Sequence, residues 1–152
     1  MLPWPTLLAG IPAKNLRGSI YEIDVCSMGP ADVGPYDQLL AYVKQPNVYK
    51  MPVNVHHIVG GEHLDNTGWI YATAPCVVLD VGMHRQYHGR FTETLTEHGG
   101  RGLLTPLTQS EKLELYHDIY AEQAGWRELW KIAARIITGS PVIPNPRTFV
   151  TP

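Results

Sequence analysis

Cysteine is nearly absent from this chain. Cys26 and Cys76 are the only two among 152 residues. At most one disulfide can form, so a disulfide-stapled scaffold is excluded and the redox compartment stays unspecified. Long apolar runs are missing too. None approaches the ~18 residues of a bilayer-spanning helix, and the expectation is a protein with no membrane partner. The opening "MLPWPTLLAGIPAKN" lacks a basic leader and is broken by Pro3, Pro5 and Pro12. It therefore does not read as a secretory signal peptide. Neither sign of charge dominates: 12 Lys and Arg stand against 14 Asp and Glu, a net charge of −2. The global basic excess of many nucleic-acid binders is not there. No internal repeat or long low-complexity tract appears.

What remains is an ordinary globular composition, 44% hydrophobic, in a chain long enough for one domain with a real core. Residues 1–35 are rich in Pro and Gly and read as an irregular arm with one short strand, "SIYEIDV", at 19–25. A helix is predicted at 36–45, where Pro35 precedes Tyr36, Leu39, Leu40 and Val43 at helical spacing. A strand is predicted at 52–59, followed by a loop opening on Gly60-Gly61, and a second strand, "CVVLDV", at 76–81. "MHRQYHGRFTETLTEH", 83–98, reads as a helix weakened by Gly89 and three threonines, stopped by "GGRG" at 99–102. A helical region is predicted at 109–138, capped by Thr108 with Glu111 and divided at Gly125. The tail 140–152 carries four prolines and reads as extended. The single domain thus comprises the arm 1–35, a strand–strand–helix core at 52–98, the helical region 108–138 and the tail.

The core holds an unusual run, "VNVHHIVGGEH" at 53–63, with three of the seven histidines. Successive strand residues point to opposite faces, so His56 and His57 cannot share one. On the following helix, His84 and His88 are four apart and share a face. Neutral imidazole is the commonest ligand of Zn²⁺ and its borderline neighbours. His56 with His84 and His88 would make three protein ligands and leave a coordination position open, as catalytic metals require. His57 would then be placed to act as general base on a water molecule. Asp80 reads as the helix N-cap. Glu62 reads as an exposed loop carboxylate. Tyr116, Tyr120, Trp126 and Trp130 read as core packing rather than base stacking.

The doublet "HHIV", the loop, "VVLDVGM" and then "HRQYH" resemble the ββα-metal (His-Me finger) core of the HNH nuclease superfamily. The likeness is greatest to its His-His branch of colicin-type DNases and AHH-like polymorphic toxin domains. It covers about residues 52–92. It implies an α+β fold with a ββα-metal core, flanked by the N-terminal arm and helix and by the C-terminal helices. It implies a metal-dependent endonuclease with one divalent ion (Zn, Ni, Mg or Mn), the ion held by His56, His84 and His88, and His57 as the base. Arg85 or Arg90 would hold a phosphate oxygen. It further implies DNA as substrate, with RNA as the other polynucleotide, and a cognate immunity protein. A toxin of this kind is delivered or secreted by a bacterium and acts in the target-cell cytoplasm. The family places an asparagine on the second strand to brace the histidine loop. "PCVVLDVGMH" has none, and Asn66 or Asp80 are the candidates to replace it.

Two other chemistries compete. A zinc nucleobase deaminase needs His-x-Glu and Pro-Cys-x-x-Cys. "APC" at 74–76 begins the second motif, but position 79 is Leu and no glutamate follows the doublet two places on. A non-enzymatic module with a closed structural zinc site would need a fourth ligand beside His56, His84 and His88, such as His63 or Cys76.

Overall fold

The computed structural model describes residues 1–24, 29–97, 106–121 and 126–145. Its described elements run α1 (Trp4–Leu7), β1 (Ala13–Arg17), β2 (Ile20–Asp24), β3 (Pro30–Pro35), α2 (Tyr36–Val43), β4 (Val53–His57), β5 (Pro75–Asp80), α3 (Val81–Glu97), α4 (Gln109–Tyr116) and α5 (Arg127–Thr138). A short 3-10 turn covers Gly61–His63, and a π-helical turn, His117–Ala121, continues α4. The fold is mixed α+β, as expected. The strands form one antiparallel sheet in the order β1-β2-β3-β5-β4.

The arm is not irregular. Residues 13–35 supply three of the five strands. β1, "AKNLR", has no β-branched residue and lies exposed at the sheet edge. β3, "PADVGP", is bracketed by prolines that read as turn signals. Pro30 opens the strand, where its missing N–H is tolerated, and Pro35 closes it at the N-cap of α2. Gly34 lets Ser19 and Ile20 approach closely: a Cβ there would lie 3.1 Å from the Ser19 carbonyl oxygen.

The sheet separates two apolar clusters. Ile23, Ala31, Val33, Val77 and Leu79 face α1, α3, α4 and α5 in the large core. Ile20, Cys76 and Val78 face α2 through Leu39 in a smaller one. Strand alternation accounts for this division. The capping box of Thr108 and Glu111 is present at α4. The four aromatic residues read as core are buried, with Tyr116, Tyr120 and Trp126 at most 1% exposed. α3 begins at Val81 rather than 83 because Asp80 accepts the Met83 N–H at 2.9 Å, one turn in. The "GGRG" stop, Gly125 and residues 146–152 of the tail lie outside the described residues.

Candidate active site

β4 ends in the histidine doublet, and the ladder with β5 fixes where each ring goes. His56 pairs with Val77, a large-core residue, and His57 with Cys76, on the α2 side. Neither ring faces open solvent.

On the large-core side, the His56 ring lies 3.8 Å from that of Tyr87, 5.6 Å from His84 and 6.4 Å from His88, centroid to centroid. His84 and His88 are one helical turn apart, with Nε2 atoms 3.0 Å from each other. The His56 Nε2 atom is buried and has no hydrogen-bond partner. Burial, reinforced by the neighbouring His84 and His88, holds its pKa down at about 3. Burial, and then His88, also lowers the pKa of His84. Neutral imidazole is the form that ligates metal. Three such nitrogens suit Zn²⁺ or Ni²⁺ better than Mg²⁺, which prefers oxygen. The donor chemistry and the orphaned Nε2 therefore fit a divalent ion. Among the described residues, however, no group of three or more His, Cys, Asp or Glu side chains already stands in an arrangement that could hold one. The three rings are neighbours of the right kind, not a formed ligand set.

On the other side, His57 is 8% exposed and clamped between tyrosines. Tyr71 stacks on it at 4.2 Å with 29° between planes, and Tyr36 lies at 4.5 Å. Its Nε2 sits 2.9 Å from the Tyr71 carbonyl oxygen. A carbonyl only accepts, so Nε2 carries the proton, and in the neutral ring Nδ1 keeps its lone pair. The backbone of Tyr71 thus performs the bracing expected of Asn66 or Asp80. Asn66 is turned to Asp65 on the surface, and Asp80 caps α3. The first N–H groups of α2 hold the Tyr71 segment in place, Tyr36 N–H donating to the Ala74 carbonyl and Asp37 N–H to that of Ala72. No side chain caps α2, so these carbonyls satisfy donors that the helix leaves unpaired.

Although the two histidines face opposite sides, both line one cavity of about 320 Å³ at the end of β4, together with Glu62, Tyr71, Tyr87 and His88. The C-terminal helices position its floor. Gly60 N–H donates to the Tyr116 hydroxyl at 2.8 Å, and the Tyr120 hydroxyl donates to the Ile58 carbonyl at 2.6 Å.

The two arginines proposed for phosphate part company. Arg85 is exposed on α3. Arg90 is committed elsewhere. Its Nε and Nη2 donate to the Asp118 carbonyl at 3.1 and 2.7 Å, and Glu93 and Glu97 flank it. That carbonyl belongs to the π-helical turn, where the regular i→i−4 pattern is broken. Cys76 is not a ligand candidate for the trio, because strand alternation puts it on the face opposite His56 and burial pushes its thiol pKa up. His63 is buried, and its Nδ1 is hydrogen-bonded with the Tyr116 hydroxyl at 2.7 Å.

The tyrosines at 36 and 71 escaped the sequence reading. One signal was present: "WIY" at 69–71 is an apolar, aromatic run inside a connecting loop, where polar residues are the rule. Among known proteins, no family model, no curated protein and no solved structure matches this chain.

Proposed function

We propose that the chain is a metal-dependent phosphodiester hydrolase of the ββα-metal type, acting on nucleic acid. One observation carries this reading: the doublet splits across β4, so that His56 joins His84 and His88 on one side while His57 stands on the other with its tautomer set, and both line one cavity.

His56, His84 and His88 would hold the ion. When bound, it stabilises negative charge developing on the phosphate and on the leaving oxygen. His57 takes the proton of the attacking water at Nδ1 as the water oxygen bonds to phosphorus and the bond to the leaving oxygen breaks. The Tyr71 carbonyl holds the opposite nitrogen and steadies the imidazolium that forms. Arg85 is the α3 side chain free to hold a phosphate oxygen.

The test is nicking of plasmid DNA, and cleavage of RNA, with Mg²⁺, Mn²⁺, Ni²⁺ or Zn²⁺ supplied. Cleavage is expected with at least one ion and is expected to vanish in His57→Ala. Intact DNA and RNA under every ion would overturn the proposal. The toxin role, delivery to a target cell and an inhibitory immunity partner belong to the same reading and rest on the resemblance. Unhindered growth of cells expressing the active chain alone would remove them. The closed structural zinc site is the weaker reading, since Cys76 lies on the wrong face and the His63 ring packs against Tyr116 and Phe91, whereas His56 packs against His84 and His88.

A further inference from the structure

The apolar surface at the cavity mouth is unexplained by the chemistry above. Tyr71 is 57% exposed and its neighbour Ile70 is 63% exposed. Of the exposed large apolar residues among those described (Met1, Met51, Ile70, Tyr71, Val81 and Val142), Tyr71 alone lines the cavity. Its ring is nevertheless fixed. It stacks on His57, meets the edge of Tyr36 at 5.1 Å and lies over Gly61, where a Cβ would come within 2.7 Å of its Cδ2. An aromatic ring fixed by its neighbours and still more than half exposed can receive a nucleobase with little ordering cost.

The charges near the cavity point the same way. A duplex binder draws much of its affinity from Lys and Arg that neutralise phosphates. Here Arg90 is turned to Asp118, Lys112 is buried against Asp65, and Glu62 adds a carboxylate to the cavity wall. Arg85 remains on α3. Single strands can instead be held by stacking, worth about 1–3 kcal/mol per base.

We propose that the site takes an unpaired polynucleotide strand, with Tyr71 as the stacking platform for the base beside the scissile phosphate. This rests on the hydrolase reading. The experiment compares cleavage by the full chain, with the activating ion, of a single-stranded DNA, its RNA counterpart, the matched duplexes, and a single strand carrying one abasic residue. Either single strand should exceed its duplex in kcat/KM by about 5- to 150-fold, the equivalent of about 1–3 kcal/mol. The abasic residue should suppress cleavage by a similar factor at one adjacent phosphate only. In Tyr71→Ala that suppression should disappear, while Tyr71→Phe and Tyr71→Trp should retain it. A duplex cut as fast as the single strand, or an abasic residue without effect on the wild-type protein, would overturn the proposal. If no polynucleotide is cut at all, the hydrolase reading fails by itself. Fluorescence anisotropy of a labelled single strand then decides this one: weaker binding by Tyr71→Ala than by the wild type supports it, and equal or absent binding overturns it.

Discussion

At the scale of single residues, Gly61 is the least conspicuous member of the site and among the most constrained. Its missing side chain is what lets Tyr71 lie flat beside His57. Gly61→Ala should push the tyrosine ring outward and loosen the imidazole it covers. Misplacement of a catalytic group by about 1 Å can cost about 10²-fold, so kcat should fall by that order while the circular dichroism spectrum stays unchanged. A variant with full kcat would show that Tyr71 does not orient the base. The buried histidines supply a second prediction. Burial lowers the pKa of both His56 and His63 from the ordinary 6.5. Below that value the unfolded chain binds protons that the folded chain refuses, so stability is complete above about pH 6.5 and is lost as the pH falls. The slope approaches about 1.4 kcal/mol per pH unit for each histidine. Urea midpoints of metal-free protein between pH 7 and 5 check this. His63→Phe should flatten the decline, and an equal decline in the variant would clear His63 of any part in it.

Among the elements, α3 carries two of the four histidines and stands on Asp80 at one end and a tyrosine–tryptophan stack along its length, with Tyr87 and Trp126 nearly parallel at 5.9 Å. Gly89 interrupts it on the exposed side, with open space where a Cβ would go. Gly89→Ala should therefore stabilise the protein by about 0.5–1 kcal/mol, seen as a higher thermal midpoint with metal affinity unchanged. A lower midpoint would mean that the space is needed for something else. The strand–strand–helix core and its histidine pairing were legible in the sequence because they rest on local periodicities, two for β4 and about 3.6 for α3. The three strands of the arm were not. β1 lacks β-branched residues, and β3 is held by its neighbours β2 and β5 rather than by any preference of Pro, Ala, Asp or Gly. The clamp on His57 was illegible for a related reason. A backbone carbonyl leaves no mark in a sequence, and Tyr36 and Tyr71 meet only because α2 docks on the carbonyls of Ala72 and Ala74. Arg90 shows the converse: it is a basic residue on the helix of the two histidines, and its guanidinium is held by a π-turn carbonyl that spacing alone does not reveal.

At the scale of the whole molecule, the proposed ion either holds the fold or serves the proposed reaction, and chelation separates the two. The large core runs from Leu7 to Ile137, and the histidine trio borders it: His56 packs on the core residue Tyr87, His84 is half-buried and His88 is exposed. The ends of the described chain are tied independently: the buried Arg135 donates to the carbonyls of Leu7 and Pro141 at 3.0 and 2.9 Å. Among the described residues no helix is long and apolar enough to cross a membrane. Removing an ion from a site at the edge of such a core subtracts only its binding linkage, about 2.7 kcal/mol when the ion stands at 100 times its Kd. A chelator should therefore abolish cleavage, lower the thermal midpoint modestly and leave one cooperative transition. Arg135→Ala should do the opposite. It removes charged hydrogen bonds worth about 1.5–3 kcal/mol each and should lower the midpoint with the ion still bound and cleavage at low temperature intact. Loss of the cooperative transition on chelation would mean that the three imidazoles close around a structural ion after all, and the base at His57 would then have no open coordination position beside it to serve.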